Sequence, residues 1–246
     1  MVLTKNTILI TGGSSGLGLE MAKKFLQLGN KVIVCSRSPD KLRLTQDLLP
    51  GVIIFQCDIS VEAEQNKLAN WITTHHPDLA ILINNAAIVN RTDFIADSES
   101  CHKLYGEIAT NLLAPIRLIK LLYPVLIKNN NAAIFNITSG LIYTPRSIYP
   151  FYNATKSALH AFTQVLRHQL KNKPIKITEV MFPVVDTPWH KGNTPKSSIS
   201  TEKAISEMIK GMERDKSEIK VGAVKLLYYL SRIAPKFAFK KINALQ

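Results

Sequence analysis

Thr7-Ile8-Leu9-Ile10-Thr11-Gly12-Gly13-Ser14-Ser15-Gly16-Leu17-Gly18 is the stretch that decides the fold. A short apolar run turns through glycines into a helical pattern, with Leu17, Met21, Phe25 and Leu28 on one face and Gly29 as its stop. Glycines there permit a tight turn and close backbone approach. The helix N-terminus offers free N–H groups and the positive end of its dipole. The serines add hydroxyl donors. Gly12, Ser14, Ser15, Gly16, Leu17 and Gly18 are therefore candidates to hold a pyrophosphate. Any strand-to-helix turn can use glycine, but the place of this one, about ten residues in, favours a nucleotide. No Gly-Lys-Ser/Thr follows, so it is not a Walker loop.

Outward from this unit, apolar runs alternate with helical patterns. Thr7–Ile10, Lys31–Cys35, Val52–Phe55, Leu79–Ile83, Ala132–Ile137 and Ile175–Phe182 read as strands, and most lack the alternation of a half-exposed sheet. Between them lie helices over Leu17–Leu28, Pro39–Leu48 (with Ser38 as cap), Val61–His75, Ser100–Asn129 and Phe151–Asn172. This order predicts α/β architecture: a single Rossmann-like, doubly wound parallel sheet of about seven strands, helices on both faces. Ser217–Val221 is the candidate seventh strand. Thr187–Gly211, with a short helix near Glu202–Met212, reads as a lid over the sheet edge. A helix over Gly222–Ile233 and an apolar-basic tail, Ala234–Leu245, follow.

The chain has 246 residues, the size of one large α/β domain, with 46% apolar and 20% charged residues. The net charge of +13 is uneven. Residues 1–170 hold 16 Lys/Arg against 11 Asp/Glu, and residues 171–246 hold 15 against 7. The basic residues are dispersed and not interleaved with aromatics along one element, which argues against nucleic acid as a partner. The three cysteines contain no CxxC pair, and the histidines are scattered, so no disulfide framework or metal site is expected. No apolar run reaches the ~18 residues of a spanning helix, and no secretory signal is read at the N-terminus. The expected compartment is the cytoplasm.

The second strand ends Val34-Cys35-Ser36-Arg37, with no acid at its tip to hold a ribose diol. Arg37 can pair bidentately with a 2′-phosphate and Ser36 can hydrogen-bond it, which favours NADP(H). A solvated loop cation is the plainer account of Arg37. Asp40 complicates the choice, although it stands in the first turn of the next helix.

Tyr152-Asn153-Ala154-Thr155-Lys156 opens a long helix, and residues four apart share a face. A Lys156 ammonium beside the Tyr152 phenol would favour phenolate and lower its pKa, making Tyr152 a general acid/base for a carbonyl/alcohol pair. Ser139 ends the fifth strand, where open α/β sheets bind ligands, and can bond a substrate oxygen. Asn85 and Ala86 end the fourth strand. Asn111 lies mid-helix, where an amide is mildly unfavourable.

These motifs, in order and at this spacing, resemble the single-domain short-chain dehydrogenase/reductase family from Thr7 to about Thr187. The resemblance implies that Tyr152 donates and accepts the proton. It implies that Lys156 lowers the Tyr152 pKa and binds the nicotinamide ribose, that Ser139 orients the carbonyl and that Asn111 helps hold a water relay. It implies that Asp58, with Ile59, contacts the adenine, and that Val185 and Thr187 frame the nicotinamide. It also implies a homodimer or homotetramer built on the two long helices. Two positions depart from the family pattern: Ala87 replaces a usual Gly, and Phe182-Pro183 a frequent Pro-Gly. Asn111–Arg117, Ser139-Gly140-Leu141 and Ser231–Pro235 are similar to bacterial oxidoreductases of the D-alanyl-lipoteichoic acid operon.

The expected function is NADP(H)-dependent hydride transfer to or from a small carbonyl or alcohol. A catalytically silent dinucleotide sensor or scaffold is the other reading, and the complete four-residue set argues against it. Apolar Leu141, Ile142, Tyr143 and Tyr149 suggest a substrate with apolar bulk, while Trp189, His190 and Lys191 could meet a polar end or solvent. The tail reads either as a peripheral membrane contact or, preferably, as a packed helix that completes the pocket or an interface.

Overall fold

A computed structural model of the chain describes residues 1–190, 195 and 197–244. Lys191, assigned above to the lid, and Leu245, assigned to the tail, lie outside them. Seven strands form one parallel sheet: β1 (Thr7–Thr11), β2 (Lys31–Ser36), β3 (Ile53–Gln56), β4 (Leu79–Asn84), β5 (Ala133–Ser139), β6 (Lys176–Phe182) and β7 (Glu218–Lys220). Their order is β3-β2-β1-β4-β5-β6-β7. The order reverses between β1 and β4, so a crevice opens at the C-terminal ends of those strands.

Both faces are covered. Along each central strand, alternate side chains enter opposite cores. Ile8, Ile10, Val32, Val34, Ile81 and Ile83 point to one face. There they meet α1 (Gly16–Gln27), α2 (Pro39–Leu48) and α7 (Thr201–Glu213) through residues such as Phe25, Leu42 and Met208. Leu9, Ile33 and Leu82 point to the other. They meet α3 (Glu62–His75) and α5 (Ala114–Leu126) through Leu68, Ile72, Leu118 and Leu122. α6 (Pro150–Gln169) lies on this second face. Truncating a side chain as completely buried as Phe25 to alanine costs roughly 3–5 kcal/mol.

Three expected elements differ. The helix expected over Ser100–Asn129 is α4 (Ser100–Ile108), a π-turn at Ala109–Leu113, and α5, which ends at Leu126. By length and composition Ser100–Leu126 could cross a membrane, although no unbroken apolar run marks it in the sequence. Here α5 lays its apolar face on β4 and α3. Residues 201–213, expected in the lid, form α7, which buries Ala204, Ile205 and Met208 against α1. The tail after α8 (Val224–Ile233) is ordered into a further helix, α9 (Pro235–Asn243).

Two of the cysteines, Cys35 and Cys57, are buried, and Cys101 is exposed on α4. Burial pushes the Cys57 thiol up to about 12 and the Cys35 thiol higher still, so neither ionises near neutral pH.

Candidate active site

The glycine loop is shaped by contacts only hydrogen can fit. A Cβ on Gly18 would lie 2.2 Å from the Gly12 carbonyl oxygen. Gly12 itself holds φ +65°, and its Cβ would lie 2.9 Å from the Ala86 Cα. Behind the loop, Asn85 Nδ2 donates to the Thr11 carbonyl at 2.9 Å and the Gly12 carbonyl at 3.3 Å. Thr11 Oγ1 accepts from the Asn85 and Ala86 N–H groups, each at 3.0 Å. Asn85 and Ala86 thus brace the turn. Ser14 is buried, while Ser15 caps α1 without spending its hydroxyl on the cap, and no acid stands in the first turn. The anion-receptive end of a twelve-residue helix is therefore open.

Arg37 follows β2, exposed, and makes no ion pair among the described residues. Asp40 pairs with Arg43 at 3.3 Å instead, in the first turn of α2 below its Ser38 cap. Ser36 ends β2, half-buried. After β3, Asp58 Oδ1 accepts from the Ser60 amide at 2.9 Å and from its hydroxyl at 2.7 Å, which fixes the carboxylate at the sheet edge. Ile59 is buried beside it. On the opposite side of the glycine loop, the Thr187 Cβ lies 3.4 Å from where a Gly16 Cβ would stand. Val185 is buried and bridges to Ile199, so the segment after β6 crosses the loop despite its Phe182-Pro183 sequence.

Ser139, the last residue of β5, accepts from the Leu141 N–H at 3.2 Å, and its hydroxyl stands near enough to the Tyr152 phenol to pull that group's pKa down. Lys156 is buried and donates from Nζ to the Ile137 carbonyl at 2.8 Å. The same nitrogen stands 5.7 Å from the Tyr152 ring centroid. Asn111, buried in the π-turn, accepts from the Ile88 N–H at 2.9 Å and donates to the Ile88 carbonyl at 2.8 Å. It also donates to Thr155 Oγ1 at 3.3 Å. A π-turn at such a point is a common accompaniment of function.

The expected lowering of the Tyr152 pKa is corrected here. Loss of water around the phenol pushes it up to about 12, and the Ser139 hydroxyl only partly offsets this. The Lys156 ammonium faces the ring and commits a hydrogen to Ile137, so it does not reverse the effect. Lys156 itself is pulled down to about 8 by burial, against the opposing pull of the Glu179 and Glu107 carboxylates.

Those carboxylates are absent from the reading of the sequence. Glu107, completely buried on α4, accepts from the Asn90 N–H at 2.9 Å and the Asn90 side chain at 3.0 Å. Burial raises its pKa. Its place one turn before Asn111 was the available signal. Glu179 on β6 accepts from Thr138 Oγ1 at 2.5 Å and pairs with His160 at 2.7 Å. Thr138 thus points away from Ser139's side. Tyr149 is buried, with Arg146 5.6 Å over its ring and Trp189 packed edge-on at 6.0 Å.

A parallel seven-stranded sheet with a glycine-rich phosphate turn and a Ser–Tyr–Lys cluster at its C-terminal edge defines a dinucleotide-fold oxidoreductase class. The chain belongs to the short chain dehydrogenase family, whose model matches residues 6–198. It is 40% identical over 224 residues to the uncharacterized oxidoreductase DltE of Bacillus subtilis (strain 168), covering 89% of each chain. Its fold matches a short chain dehydrogenase from Burkholderia cenocepacia J2315 solved in complex with NADP, at TM-score 0.85 and 21% identity, covering 98% of this chain and 99% of that one. It also matches a Burkholderia phymatum family member in complex with NAD, at TM-score 0.83 and 18% identity, covering 100% and 98%.

Proposed function

We propose that the protein is an NADP(H)-dependent oxidoreductase acting on a small carbonyl compound or secondary alcohol, with Tyr152 as general acid/base. The observation that carries this reading is the convergence of Tyr152, Ser139, Lys156 and Asn111 at one strand end, with Lys156 Nζ 5.7 Å from the Tyr152 ring centroid. The glycine cradle, the open α1 N-terminus and Arg37, exposed and in no ion pair among the described residues, fit a dinucleotide with a 2′-phosphate. Gly12, Ser14, Ser15, Gly16, Leu17 and Gly18 would hold the pyrophosphate, Ser36 and Arg37 the 2′-phosphate, and Asp58 and Ile59 the adenine. Val185 and Thr187 would border the nicotinamide end. The cofactor, when bound, supplies or accepts the hydride.

This chain's residues do the rest. In reduction, Ser139 and Tyr152 donate hydrogen bonds to the carbonyl oxygen and stabilise the charge that develops there. Tyr152 then gives its phenolic proton to that oxygen. A phenol held near 12 in the free protein is a proton donor at neutral pH, ready for this direction. Lys156 places positive charge beside the ring, which favours the phenolate left behind. Asn111 ties the Ile88 backbone to Thr155 of α6, the helix that carries Tyr152 and Lys156. Exposed Tyr105 on α4, Leu113 in the π-turn and Val165 on α6 support a homo-oligomer as the working form.

A panel of ketones and aldehydes with NADPH and NADH, followed by nicotinamide absorbance, tests the reading. Turnover of some member with NADPH preferred is expected. Dinucleotide binding with no turnover across the panel and its matching alcohols would favour a sensor.

A further inference from the structure

Helices α8 and α9 carry a surface that the reaction does not use. On α8, Leu226, Tyr229 and Ile233 are 69%, 62% and 82% exposed, and their spacing aligns them on one face. On α9, Phe237 is 56% exposed. Lys225 stands beside this stripe, Lys236, Lys240 and Lys241 follow in the chain, and the Arg232 guanidinium stacks on the inner Tyr228 ring at 3.7 Å. From Gly222 to the last residue there are five basic residues and no acidic one.

The inner side of the same helices is tied to the active-site loop. A Cβ on Gly140 would meet Val224 at 3.0 Å and Leu227 at 3.5 Å. Tyr228 packs edge-on to Tyr143 at 5.1 Å. Asn243 accepts from the Ser147 N–H at 2.6 Å and donates to the Pro145 carbonyl at 3.1 Å. A cavity of about 410 Å³ lies between the two layers, lined by Tyr143, Pro145, Pro235, Lys236 and Phe239 among others. The outer face is thus presented by helices that border the segment between Ser139 and Tyr152.

We infer that the α8–α9 face is a docking surface for an anionic lipid bilayer. Apolar and aromatic side chains at the centre suit the acyl boundary, and the basic flank suits anionic headgroups. A second copy of the same face would bring Lys225, Lys236, Lys240 and Lys241 against their own counterparts, with no acidic residue in either α8–α9 segment to offset them. Nucleic acid would leave Leu226, Ile233 and Phe237 without a partner. The charge and the apolar stripe fit one surface together, and that surface is a membrane. The inference goes beyond the proposed reaction and stands independently of it.

The test is co-sedimentation of the full chain with vesicles of phosphatidylcholine alone and of equal parts phosphatidylcholine and phosphatidylglycerol. Binding to the anionic vesicles about tenfold stronger than to neutral ones, weakened by salt, is expected. Leu226→Ser with Tyr229→Ser and Ile233→Ser, and separately Lys236→Glu with Lys240→Glu and Lys241→Glu, should each lower it about tenfold or more. Thermal unfolding and NADPH binding should stay unchanged, since all six side chains are exposed or half-exposed and outside the site. No binding to anionic vesicles overturns the inference, as does equal binding by wild type and both variants. If the serine variant instead turns a dimer into a monomer and no vesicle binding occurs, the face is a subunit contact and the inference fails.

Discussion

Asn111 Nδ2 donates to Thr155 Oγ1 at 3.3 Å, joining the π-turn to the helix that carries Tyr152 and Lys156. The same amide satisfies both backbone groups of Ile88. Asn111→Leu removes all three partners while adding an apolar group of similar size. Two half-buried backbone groups left unpaired, together with the buried bond to Thr155, cost about 1–3 kcal/mol in all. A Tm several degrees lower, with turnover reduced in protein still folded at assay temperature, is the expected result. Unchanged Tm would sever Asn111 from this role.

Tyr152→Phe keeps the ring and its packing and removes only the phenolic oxygen. Turnover should fall by ~10²–10⁴, the usual contribution of a positioned general acid. NADPH binding, followed by fluorescence, should change little. Wild-type-like kcat in this variant would remove Tyr152 from the chemistry.

Arg37→Asp exchanges a free guanidinium for a carboxylate at the end of β2. Hydrogen bonds to a charged group are worth about 1.5–3 kcal/mol, so NADPH affinity should fall by roughly 10- to 100-fold. NADH should be less affected, since the carboxylate can accept from its ribose diol. Equal loss for both cofactors would refute a 2′-phosphate contact.

Lys156 yields a pH prediction of definite sign. Burial lowers it in the fold to about 8, against 10.5 when free. Between those values the unfolded chain binds the proton more tightly. The stability of the cofactor-free protein should therefore rise with pH from about 8 to about 10.5, and the cost is fully present below about 8. Denaturant midpoints across this range, compared with Lys156→Met, isolate the effect; parallel curves would refute it.

Gly18→Ala places a methyl 2.2 Å from the Gly12 carbonyl oxygen and 2.7 Å from Asn85 Nδ2. Both are held by the hydrogen bonds from Asn85 Nδ2 to the Thr11 and Gly12 carbonyls, so the loop must open to accept it. Calorimetry should register lost or sharply weakened dinucleotide binding at a moderate cost in Tm. Native-like affinity would show that the turn's closeness is incidental.

The sheet was legible because its first six strands are short, mostly apolar and separated by helices of matching period, while β7, Glu218–Lys220, buries only Ile219. Ser38-Pro39 marked its helix start correctly, since cap chemistry is local. The π-turn was harder to read. Its trace in the sequence is Pro115, which has no N–H to return to the Asn111 carbonyl one turn earlier. Tyr152, Ser139 and Lys156 were found by spacing, and the structure brings them together. Spacing could not supply the phenol's pKa, which depends on burial and on which atoms the ammonium faces. Nor could it supply Glu107 and Glu179, whose approach to Lys156 depends on packing between distant elements. The lid was overextended because α7 is amphipathic enough to read as surface, while Ala204 and Met208 complete the core over α1.

The unequal cysteines have a practical consequence. A maleimide added to the native protein should react with one thiol, Cys101, and leave Cys35 and Cys57 untouched. Three should react once the chain is denatured. The reagent thereby counts folded molecules, and the label it leaves sits on α4, nearly three turns before Asn111. A fluorophore there would report from the helix that flanks the reaction, in the wild-type chain and without a single substitution.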